Sequence, residues 1–69
     1  MKFYGKAYSH KGKIIGVCDL PGVLGQFVIA KHDTQTDTLT FCELSFNDPD
    51  IAQDLIDTWA KGKGLPEAN

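Results

Sequence analysis

The side chains able to do chemistry in this 69-residue chain are Cys18, Cys42, His10, His32 and nine carboxylates. A nucleophilic thiol needs a neighbouring base and surroundings that favour the thiolate. Cys18 stands beside Asp19 among apolar residues, which raises a thiol pKa. It reads as a small buried hydrophobe, and Cys42 reads the same way. The four Cys and His residues also make a zinc-type donor set. Structural zinc sites draw ligands in close pairs from one turn, whereas these four are scattered singly, so no metal site is expected. Both histidines fall in predicted turns and should be solvent-exposed.

The carboxylates offer little more. Asp48, Asp50, Asp54 and Asp57 belong to the cap and outer face of a predicted helix, where they are solvated, and a general acid needs burial or a like-charged neighbour. Asp33 and Asp37 lack the glycine and distal glutamate of a calcium loop. Gly22 and Gly25 neither precede a helix nor lead to a lysine, which excludes a phosphate loop. These residue types predict a protein that is not an enzyme and uses no cofactor.

The net charge of −2 is unevenly distributed. Lys2, Lys6, Lys11 and Lys13 crowd the first 18 residues, residues 33–57 are acidic without a base, and arginine is absent. Without the guanidinium that grips phosphate and guanine, nucleic-acid binding is disfavoured. The alternative it leaves is weak binding of a single strand or nucleotide by Tyr4, Lys6, Tyr8, Lys11 and Lys13. Interleaved Tyr and Lys on one strand face would stack bases and hold phosphates.

The elements that must position these residues follow from hydrophobic period. Lys2 to Ser9 predicts a first strand, with Phe3, Gly5 and Ala7 on one face and Tyr4, Lys6 and Tyr8 on the other. His10 to Lys13 reverses the chain, and Ile14 to Asp19 forms a second, central strand. Leu20-Pro21-Gly22 signals a turn. Gln26 to Lys31 is a third strand, His32 to Thr38 a polar reversal, and Leu39 to Phe46 a fourth. Merging strands two and three around a bulge gives a three-stranded alternative. Asp48 caps a helix that Pro49 begins, with Ile51, Ala52, Leu55, Ile56 and Trp59 on one stripe and Gly62 and Gly64 as the stop. The fold expected is α+β: an antiparallel four-stranded, or three-stranded, sheet with one C-terminal helix on one face. Residues 1–64 form a single domain and 65–69 a flexible tail.

Size shapes the functional expectation. Ordering costs about 1.5 kcal/mol per residue, which hydrophobic burial roughly cancels in so short a chain. Two cysteines cannot make a disulfide framework, and nothing resembles a signal peptide or a membrane span, so a cytoplasmic protein with reduced thiols is expected. One helix of about 13 residues covers part of one sheet face, leaving apolar side chains for a partner to cover. The core is also expected to be too small to bury a substrate cleft of ordinary volume. The expectation is a non-enzymatic protein-binding module, an inhibitor or adaptor of a larger protein, homodimeric, of the size of accessory proteins encoded by viruses and mobile elements. Its contact surface would combine the loop residues Leu20, Val23 and Leu24 with the acidic helix face of Asp50, Asp54 and Asp57.

Overall fold

A computed structural model describes residues 2–68. Its elements are β1 (Tyr8–His10), β2 (Lys13–Asp19), β3 (Phe27–Asp33), β4 (Thr38–Phe46) and α1 (Pro49–Lys63). The strands pair antiparallel in the order β1-β2-β3-β4, and α1 packs on one face, giving the α+β architecture. β2 and β3 are separate strands, not one bulged strand. Lys11 and Gly12 turn the chain between β1 and β2 with φ of 51° and 77°. Two successive left-handed residues suit the right-handed twist of the strands they join. In β4 the register shifts: Val28 pairs Ser45 and Ala30 pairs Phe41, so residues 42–44 bulge opposite Ile29.

The helix begins as its sequence dictates. Asp48 accepts a hydrogen bond from the Asp50 amide at 2.9 Å, and Pro49 follows where no amide is needed. Gly64, at φ 67°, ends it: its N–H reaches the Ala60 and Lys61 carbonyls, and the Leu65 N–H donates to Ala60 O at 3.0 Å. This Schellman closure carries the helix through Gly62. Ala52, Ile56 and Ala60 form its buried stripe, set against Tyr8 and Val17 with Phe27, Ile29, Phe46, Trp59 and Leu65 around them. That stripe is narrower than the sequence suggests. Ile51 and Leu55 are half exposed, because the alanines let the helix settle close over β2 and β3 and turn its Ile51–Leu55 flank outward.

The opposite face is closed by the chain itself. Cys18, Val28 and Ala30 are buried there under Phe3, Leu20 and Leu39. Phe3 lies so close to Gly16 that a β-carbon at Gly16 would sit 2.5 Å from its Cδ1. This placement explains why strand one is not Lys2 to Ser9. Residues 2–7 leave the ladder so that Phe3 can cross the sheet, while the Tyr4 N–H still donates to Val17 O at 2.6 Å. The expectation that the second face waits for an outside partner is overturned over this area.

The two sheet edges differ. Residues 65–68, expected to be loose, run along β1: Ser9 N–H donates to Pro66 O at 3.0 Å and Ala68 N–H to Ala7 O at 2.8 Å, while Glu67 bridges Tyr8. Met1 and Asn69, the outer ends of the expected domain and tail, lie outside the described residues. β4 has no strand on its far side among the described residues, and most of its side chains are exposed. No helix among the described residues is long and apolar enough to cross a membrane.

Gly16→Ala should drive Phe3 off the sheet and destabilise the domain by about 1–3 kcal/mol in urea unfolding. In a Phe3→Ala background the same change should cost far less, because the clashing ring is gone. An undiminished cost in that background would show that Gly16 is needed for another reason.

Candidate functional site

A concavity lies between the C-terminal half of α1 and the sheet. It is an open groove of about 610 Å³, which corrects the expectation that so small a core leaves no cleft. Four strands spaced about 4.8 Å apart make a layer wider than one helix, so a trough remains beside the helix. Ile15, Ile29, Leu55, Ile56 and Trp59 give it an apolar lining. Lys11 and Lys13 from the hairpin, Lys31 from β3 and Lys63 from the last helical turn surround that lining, and no carboxylate contributes to it. Among the described residues, none of these four lysines is ion-paired. Asp33 is opposite Lys13 in the ladder, but its carboxylate is engaged by the Gln35 and Thr36 amides at 3.0 and 3.3 Å.

His10 forms one wall of the groove, edge-on to Trp59 with ring centroids 5.3 Å apart. It belongs to β1 and is half-buried, not in an exposed turn as expected. Burial holds its imidazole below the ordinary range, and Lys11, Lys63, Lys31 and Lys13 add to the effect. His32 is also a half-buried strand residue, 2.8 Å from the Asp37 carboxylate. Cys18 is buried as expected, and burial, then Asp19, pushes its thiol pKa up. Cys42 is exposed and lines the groove, contrary to expectation, because it lies in the bulged part of an edge strand. Cys18 and Cys42 are on non-adjacent strands and opposite faces.

The five residues of the nucleic-acid alternative do not form one surface. Tyr8 is buried beneath the helix and its hydroxyl donates to Asp57 Oδ1 at 2.6 Å. Tyr4 is exposed at the other end of the sheet, edge-on to Phe27 at 6.1 Å. Lys6 pairs with Glu67 at 3.3 Å, while Lys11 and Lys13 join the groove. The alternation that would align Tyr4, Lys6 and Tyr8 is lost where residues 2–7 leave the ladder.

The expected protein-contact residues also divide. Leu20 is half-buried against the Cys18–Val28–Ala30 cluster, whereas Val23 is 46% and Leu24 103% exposed. Their loop is ordered by backbone bonds from Leu20 N to Gln26 O and from Val23 N to Leu20 O, at 2.9 and 3.1 Å. Asp50 and Asp54 are exposed on α1, but Asp57 is turned inward, accepting from Tyr8 and from Gln53 Nε2 at 2.9 Å. These bonds hold the Asp57 carboxyl below its usual range. Topology places further exposed apolar residues at the loop's end of the sheet. Phe27, which leaves the loop, pairs with Phe46, two residues beyond Leu44 and five before Ile51.

Two titrations should report this geometry. Because the folded pKa of His10 is depressed, stability should be full above pH 6.5, the unfolded value, and fall as pH drops below it. His10→Gln should flatten that acid limb in urea midpoints, and unchanged slopes would contradict it. The Tyr8 pKa is raised to about 12, first by its bond to Asp57 and then by burial. Its stabilisation should therefore be complete below pH 10 and lost as pH rises towards 12, with its phenolate band appearing only there. A phenolate signal near pH 10 in the native protein that is absent from Tyr8→Phe would refute this. No protein-family model, curated protein or solved structure matches the chain.

Proposed function

We propose that this protein is a non-enzymatic binding module that docks on a larger protein, as an inhibitor or adaptor would. The observation that carries the reading is the gathering of exposed apolar side chains at one end of the sheet. Tyr4, Val23, Leu24, Leu44 and Ile51 are each between 46% and 103% exposed, and all belong to segments that meet there. Scattered exposed hydrophobes are ordinary, but a cluster on an ordered loop and adjoining elements is the anatomy of a contact surface. Leu24 contributes no burial to the fold, so its apolar surface is available to a partner.

The charge around this end supports a partner with a basic rim. Asp19, Glu43, Asp48 and Asp50 are exposed there, and Asp54 continues the acidic side of the helix. Such a rim speeds and orients association, while the apolar anchors supply affinity. The Leu20–Gln26 turn is already hydrogen-bonded, so little ordering cost remains when Val23 and Leu24 engage. Leu20 is a support for this loop, since its side chain belongs to the second-face core.

Val23→Ser with Leu24→Ser should change unfolding free energy by no more than about 0.5 kcal/mol, as surface substitutions do. The same double variant should lose a partner that the wild-type chain retains in affinity purification from the source cell. Gln35→Ala, in the β3–β4 turn at the opposite end of the sheet, should keep it. Identical captured proteins with and without Val23 and Leu24, or an unfolded double variant, would remove the basis for this surface.

A further inference from the structure

We infer that the lysine-rimmed groove binds a small amphiphilic anion, an acyl or flat apolar body carrying a carboxylate head. This site is at the hairpin end of the sheet, away from the proposed docking end, and does not depend on that reading. Its lining and its rim ask for different things from one molecule. Ile15, Ile29, Ile56, Leu55 and Trp59 offer apolar surface, and Leu55 is left 52% exposed with only solvent over it among the described residues. An acyl chain or aromatic ring laid along them would remove that surface from water. Lys11, Lys13, Lys31 and Lys63 approach from three elements with no lining carboxylate and no ion pair of their own. Four unpaired ammonium groups around one trough attract a single negative head strongly, because each adds to the same local potential.

Size and surroundings select a small molecule over a macromolecule. About 610 Å³ falls within the range of ordinary ligand sites. A nucleic-acid strand needs a basic track longer than the groove, yet Asp33 at the end of β3 and Asp37 in the β3–β4 turn adjoin it and would repel its next phosphates. The stacking surface is also restricted, since His10 already packs its edge against Trp59.

Two residues in the groove can report occupancy: Trp59, the single tryptophan, and Cys42, an exposed thiol, with buried Cys18 as internal control. Octanoate is the probe and 1-octanol its uncharged counterpart. Octanoate should shift Trp59 emission and slow maleimide alkylation of Cys42, with half-saturation at a concentration about fivefold lower than for 1-octanol. Lys31→Gln with Lys63→Gln should reduce that preference without unfolding the domain, since both side chains are exposed. Added salt should weaken octanoate and leave 1-octanol unchanged. Equal protection by the alcohol and the acid, or an unchanged preference in the double variant, would overturn the proposal. So would protection of Cys42 by oligothymidine or a polyglutamate peptide at lower concentration than octanoate.

Discussion

The close seating of α1 on β2 is the contact on which the rest of the molecule depends. Ala52 and Ala60, one turn either side of Ile56, keep the buried helix stripe thin enough for the backbone to approach Val17. A single helix then supplies most of the first core, and its rotation about its own axis decides everything at its flanks. Asp57 helps to set that rotation, because it accepts the Tyr8 hydroxyl across the interface and is braced by Gln53, which also donates to the Lys6 carbonyl. In this orientation Trp59 and Leu55 stand over the trough, while Ile51 looks toward the loop end.

The second core solves a different problem with a different device. A sheet covered on one side by a helix still has another side, and here it is closed by Phe3, Leu20 and Leu39. Gly16 makes room for the ring at the centre of the sheet, where any side chain would hold it away. The domain therefore screens both faces of its central strands with its own residues, and the large apolar side chains it leaves exposed among the described residues are Tyr4 and those of the loop, the helix flank and β4.

What could be read in the residues, and what could not, divides along the range of the forces involved. Asp48 and Pro49 announce the helix start because capping acts within one turn, and the alternation of β2 and β3 shows in neighbouring positions. Gly62 and Gly64 look equally good as helix ends. The choice between them falls to the Leu65–Ala60 bond and the burial of Leu65, which composition does not display. Residues 2–7 have a strand's pattern, yet the long-range attraction between Phe3 and the Gly16 gap overrides it. Cys18 and Cys42 have similar apolar neighbours, and only the bulge on an outer strand separates their fates. The groove was the least legible feature, since Lys11, Lys13, Lys31 and Lys63 come together from positions up to 52 residues apart, 63 − 11.

The unequal sides of the sheet carry a consequence for assembly. Residues 66–68 already occupy the backbone groups beside β1, whereas those of β4 are free of any neighbouring strand among the described residues. A chain that can recruit a β-partner on one flank alone has no means of propagating the pairing. Two copies joined through β4 would present only sealed flanks to a third, so growth by this route terminates at the pair instead of running on into a fibre.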